Sequence, residues 1–211
     1  MGVIKQGILG GFSGSVANVV GSSWKGIAVI KSKPLSVSNP KSPSQTAQRN
    51  KLTGVVKAAR DLLAALIQPY WNPFAQQESG YNKFVSTNIA NFANGVFTTF
   101  ASFFSMRGSL LGVSLGASTA GAGTNNVIIP WTNNSGQSDA LATDECVVTY
   151  YNETQAYWVV DAGNAVRSDA TITISDTRMA QNDDLHLYVG MSRPNISKIS
   201  DSVYQTISVG A

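Results

Sequence analysis

The side chains that most often carry chemistry are scarce here, and their spacing forms no catalytic or metal-binding set. The 211 residues hold one His, His186, and one Cys, Cys146. His186 follows Asp183-Asp184 in the alternating run DDLHLYVG. A metal centre or a nucleophile–base–acid triad needs further ligands or a partnered nucleophile, and no motif supplies either. His186 therefore reads as a structural or surface residue, and Cys146, opening an apolar run, as a small buried one. A single Cys also excludes a disulfide framework or a thiolate zinc site within the chain. Acids are paired at Asp144-Glu145 and Asp183-Asp184. Neighbours along a strand point to opposite faces, so neither pair makes an acid/base couple. No EF-hand spacing supports calcium at a loop rim. GILGGFSG lacks the Gly-Lys-[Ser/Thr] ending of a phosphate loop, and no dinucleotide fingerprint fits, so it reads as part of a bent hairpin. No catalytic, cofactor-binding or metal residue is expected, and the chain reads as non-enzymatic.

Charge is the stronger signal. Charged residues make up 13% of the chain, about half the usual ~25%, and they are divided unevenly. Residues 1–110 hold eleven Lys/Arg against two acids, Asp61 and Glu78, a net of +9. Residues 111–211 hold four Lys/Arg against ten acids, a net of −6. The first sixty residues contain nine bases and no acid. Two regions with different partners are expected. Arg49, Lys57 and Arg60 fall on one side of a predicted helix and are candidate contacts for a polyanion or an acidic protein patch. Residues 84–106 carry no charge at all. Phe97, Phe100, Phe103 and Phe104 in that stretch lack the interleaved cations of a base-stacking surface. They are the candidate apolar interface. The stretch is long enough to span a bilayer, but its Asn, Gly, Ser and Thr argue against a membrane span. Ser13, Ser15 and Asn18 interrupt the opening apolar run, so no signal peptide is expected.

Several elements must position these residues. Residues 7–33 predict a β-hairpin with GSSWKG as its turn. PLSVSNPK is an extended connector, because each proline restrains its predecessor. Ser42 as N-cap, Pro43 at the first position and Gln45 in a capping-box pattern predict a helix start. Leu52, Val55, Val56, Ala59, Leu62, Leu63, Leu66 and Ile67 repeat at three and four, and Pro69 is expected to close that helix. A shorter helix is predicted over residues 80–93, with Asn94-Gly95 as its stop. From about residue 109 the period changes to two. SLLGVSLGAS, NVIIPWT, CVVTYYN, AYWVVDA, ATITIS, DLHLYVGMS and SVYQTISVG predict seven strands, with Trp131 and Trp158 as core residues. The expected fold is α+β: an N-terminal β-hairpin plus two helices, then a C-terminal antiparallel immunoglobulin-like β-sandwich. The expected domains are a basic head, 1–107, and an acidic sandwich, 108–211, the latter able to fold alone.

The opening GVIKQGILGGFSGSVANVVGSSWKGIAVIKSKP, the following NPKSPSQTAQRNK and the ending DDLHLYVGMSRPNISKISDSVYQTISVG resemble an uncharacterised domain-of-unknown-function family. That family is found in Bacteroidota and associated mobile elements. The resemblance covers both ends and most of the chain, and it implies a helix–hairpin head joined to an immunoglobulin-like sandwich. It carries no activity and no site residue. Arg193-Pro194-Asn195-Ile196 departs from the family's acidic-glycine turn before SDSVY, which affects that loop alone. The function expected is that of a structural protein, a phage virion or other particle component, packing against copies of itself and other particle proteins. The alternative is a nucleic-acid-binding protein using the acid-free first sixty residues. No cofactor is expected, and the location is the virion if phage-encoded, otherwise the cytoplasm.

Overall fold

A computed structural model of the chain describes residues 3–4, 12–24, 27–36, 39–120 and 125–210. It forms two compact units, Met1–Ser42 and Pro43–Ala211. The boundary expected at 107/108 falls inside the second unit.

In the first unit, β1 (Val3–Ile4), β2 (Phe12–Val16), β3 (Val19–Trp24) and β4 (Ile27–Ser32) make one sheet in that order. Every pair is antiparallel. The sheet is larger than the single hairpin expected. SVANVV breaks at Ala17-Asn18, with Ala17 at φ 47°, so its halves pair as β2 and β3. GSSW continues β3 instead of turning, and Trp24 pairs with Ile27. Residues 7–11 of the glycine-rich opening and Lys25-Gly26 lie outside the described residues.

The second unit begins with α1 (Pro43–Asp61), which a π turn (Leu63–Ile67) carries into α2 (Gln68–Tyr70). Val55, Ala58, Ala59, Leu62, Leu66 and Ile67 are buried, whereas Leu52 and Leu63 are exposed. Pro69 does not end the helix. The wider turn sets it in the first turn of α2, where a missing N–H breaks no ladder bond. α3 (Gly80–Asn88) starts at Ser79, whose hydroxyl accepts from the Asn82 N–H at 3.2 Å. It ends six residues before Asn94-Gly95, which instead turns a hairpin. β5 (Phe92–Ala93) pairs with β6 (Val96–Phe97) across those two residues, at φ 51° and 84°. Positive φ at both positions marks the primed turn that suits strand twist, and Asn-Gly is its favoured pair.

The remaining strands are β7 (Ser114–Leu115), β8 (Thr119–Ala120), β9 (Asn126–Thr132), β10 (Glu145–Asn152), β11 (Tyr157–Val166), β12 (Thr171–Ser175), β13 (Asp184–Ser192) and β14 (Val203–Ser208). One antiparallel sheet runs β11-β10-β13-β14; the other runs β12-β9-β7, with β8 also paired to β9. Cys146, Val148, Tyr150, Leu185, Leu187 and Val189 share a core with Val127, Ile129, Trp131, Ile172 and Ile174 of the second sheet. The alternate positions do not face water. Val147 and Tyr188 are buried with α1, Phe84, Phe97 and Phe103, and Tyr151, Trp158 and Tyr204 pack against that same cluster. Sheet β11-β10-β13-β14 is therefore covered on both faces, which is why no unit boundary falls near residue 108. The protein is α+β, with the helices closing one face of a β-rich body.

Candidate functional site

Arg49, Lys57 and Arg60 lie on the exposed side of α1. Phe97 and Phe103 do not form an outer surface, because both are buried in the chain's own core. The Phe103 ring lies 5.0 Å from Trp158, 5.0 Å from Tyr188, 5.1 Å from Phe97 and 5.7 Å from Phe84. Phe100 is half-buried and stacks on His186 at 3.6 Å between ring centroids. Phe104 is half-buried beneath the Arg107 guanidinium, 5.2 Å from its ring centroid. The polar residues of this charge-free stretch have structural work. Asn88 donates to the Phe104 carbonyl at 3.0 Å and accepts from the Phe104 N–H at 2.9 Å, while Asn91 donates to the Ser102 carbonyl at 3.2 Å. Both amides thus satisfy backbone that no strand partner reaches. Among the described residues no helix is long and apolar enough to cross a membrane.

His186 is buried, with Nδ1 2.9 Å from the Tyr204 hydroxyl and Nε2 2.9 Å from Glu153 Oε2. Burial raises the Tyr204 hydroxyl above its ordinary value, so it makes a poor nucleophile. Burial also pushes the Cys146 thiol up to about 12, leaving it protonated and inert. The paired acids separate as strand geometry requires. Asp144 is fully buried while Glu145 is half-exposed. Asp183 is buried and accepts from Asn152 at 2.7 Å and from the Ala180 N–H at 2.9 Å, whereas exposed Asp184 accepts from the Ser208 hydroxyl. Among the described residues no group of three or more His, Cys, Asp and Glu side chains could hold a metal ion.

Composition did not point to Arg167, which is fully buried. Its guanidinium reaches Asp144 at 3.0 Å, the Leu111 carbonyl at 2.7 Å and Asn134 Oδ1 at 2.5 Å. Several donors are thus paired, the condition for burying a charge. Arg193 stands 3.0 Å from the other Asp144 oxygen, though not aligned for a hydrogen bond. It also donates to the Asp139 carbonyl. The loop that Arg193 opens is therefore anchored on a buried acid. Asp139 in turn binds Lys198 at 3.1 Å, which holds its carboxyl below the usual range.

Concavities open on the second unit among the described residues. A cleft of about 200 Å³ lies between Lys57 and Asp61 of α1, the β5–β6 hairpin, Tyr151 and Trp158. It brings Lys57 and Phe97 to one place, with Phe97 as part of its lining. A larger cavity of about 550 Å³ is bounded by Tyr70, Trp71, Phe74, Lys83, Arg107 and Asp201. In the first unit the notable feature is the sheet itself. Among its described side chains none larger than Gly21 is buried, and Val16, Val19, Val29 and Ile30 are exposed.

The profile described as "Family of unknown function (DUF6266)" matches residues 11–206. No curated protein gives a match.

Proposed function

The chain belongs to the DUF6266 family of unknown function, and from that starting point we propose that it is a non-enzymatic structural protein that assembles with copies of itself. The observation that carries this reading is the exposed apolar surface among the described side chains of the first unit's sheet. Val16 of β2 is 54% exposed and Ile30 of β4 62%. Four strands in a single layer need an apolar face covered to be stable. A second copy is the cover proposed. The first 42 residues carry five Lys and no acid, whereas residues 111–211 are net −6. Contact between the basic part of one copy and the acidic part of another is heterologous, and it closes into rings or extends into lattices. Arg49, Lys57 and Arg60 on the exposed side of α1 add charge of the same sign, steering and orienting more than binding. On this reading the two-sheet body is an immunoglobulin-like module, and the assembly is a particle such as a phage virion.

The acid-free first sixty residues favour a second reading, nucleic-acid binding. It carries a steep salt dependence, with a log–log slope of roughly −0.9 per neutralised phosphate. Light scattering on the purified full chain, with and without nuclease, separates the two. Self-assembly gives multiples of the 22.3 kDa chain that survive nuclease and disappear when residues 1–42 are removed. Complexes that nuclease abolishes favour the second reading. A strict monomer at high concentration in both arms overturns assembly by the chain alone.

A further inference from the structure

The 550 Å³ cavity has a chemistry that the assembly reading neither uses nor requires. Arg107 is the sole charged residue between positions 84 and 138. It pairs with no carboxylate among the described residues. Its guanidinium is held 5.2 Å from the Phe104 ring centroid. A cation–π contact of this kind anchors the group by one face and leaves its N–H edge to donate. Asp201 lines the same cavity, but its Oδ1 accepts from the Gly108 N–H at 2.9 Å. Lys83 adds a second cation to the lining; its ammonium is 3.4 Å from Glu78 and its side chain is 48% exposed, so that pair is solvated and weak. The apolar wall is aromatic. Tyr70 and Trp71 are nearly closed off, while Phe74 leaves 37% of its surface open. A volume in the range of about 300–1,000 Å³, aromatic lining and a few convergent polar groups describe small-molecule sites in general.

We propose that this cavity binds a small planar aromatic anion, an aryl or heteroaryl phosphate or carboxylate. Its ring lies against the Phe74 wall and its anionic group meets Arg107, with Lys83 adding positive potential. The two parts of such a ligand answer the two parts of the site. A bare phosphate has nothing for the aromatic wall, and a neutral ring leaves the guanidinium edge hydrated.

The test is a titration of the full chain by isothermal calorimetry and amide NMR. The probes are phenyl phosphate, adenosine monophosphate and benzoate, with inorganic phosphate and adenosine as controls. The expected result is binding of the aryl anions, with shifts at Gly108, Ser109 and the Trp71 indole, and at least about tenfold weaker binding of both controls. Arg107→Ala is expected to weaken aryl-anion binding by roughly tenfold or more, the scale of a lost charge-assisted hydrogen bond. Phe74→Ala is expected to weaken it as well, while the exposed position of both residues leaves the rest of the amide spectrum unchanged. Benzoate binding without the phosphates, or the reverse, identifies which anion the site takes and supports it. No binding of any aryl anion at millimolar concentration overturns the proposal. So does an affinity unchanged in Arg107→Ala, or inorganic phosphate binding as tightly as phenyl phosphate.

Discussion

Asp176 and its partners set a pH dependence that can be read from geometry. Its carboxylate accepts from Arg178 Nη2 at 2.7 Å and from the Tyr150 hydroxyl at 2.5 Å. Hydrogen bonding to Arg178 is the largest cause that lowers its pKa from 3.8 to about 2, with the Tyr150 hydroxyl contributing. Burial, followed by that same carboxylate, pushes the Tyr150 hydroxyl well above its ordinary value, so it stays a donor. A carboxyl whose folded pKa lies below its unfolded one stabilises the fold above the unfolded value, and that contribution is lost as pH falls through the folded value. For Asp176 the window runs from about pH 4 down to about pH 2. Arg178→Ala should therefore raise the Asp176 pKa and flatten the pH dependence of stability across that window. Carboxyl ¹³C titration and urea midpoints at several pH values check this, and an unmoved Asp176 pKa would count against the assigned cause.

Gly54 is a cost that the helix carries for its neighbour. It lies within α1, where Ala normally stabilises a helix by roughly 0.5–1 kcal/mol relative to Gly. A Cβ at this position would sit 2.9 Å from the Gly95 carbonyl oxygen and 2.9 Å from the Phe92 ring. The β5–β6 hairpin rests on this gap, and with it the placing of Phe92 and Phe97 in the core. Gly54→Ala is accordingly expected to destabilise by about 1–3 kcal/mol, the scale of overpacking. Urea unfolding measures it, and a stabilised variant would mean that the hairpin moves freely. The same hairpin explains why Asn94-Gly95 misleads as a helix stop. The dipeptide favours positive φ, and that preference serves a helix end and a primed turn alike.

At the scale of the molecule, cutting the chain separates the two ways of dividing it. Residues 43–211 contain both cores, so this fragment should fold alone with dispersed amide signals and a near-ultraviolet dichroism signal from its packed aromatics. Residues 108–211 keep the inter-sheet core but uncover Val147, Tyr151, Trp158 and Tyr188, which pack in the helix-covered cluster. Such an aromatic face exposed to water favours aggregation. The shorter fragment is expected to precipitate or lose that dichroism, and a well-dispersed monomeric spectrum from it would support the boundary expected at 107/108.

Local patterns determined the kinds of element in advance. The three-and-four spacing of Val55 to Ile67 marks a helix, and six of the seven alternating runs become strands of five residues or more. SLLGVSLGAS supplies just the two-residue β7. The charge division and the scarcity of reactive side chains belong to composition and needed no structure. Alternation, however, separates the two faces of a strand without saying what covers each. Alternation in DLHLYVG sets Leu185, Leu187 and Val189 against His186 and Tyr188, but only the fold puts Phe100 on His186 and Phe103 against Tyr188. Arg167 was illegible for the same reason. Its partners Leu111, Asn134 and Asp144 stand 23 to 56 residues away in sequence, and a charge is buried where distant groups converge to satisfy it. Periodicity is a local property of the chain, whereas burial is decided by contacts between segments far apart along it.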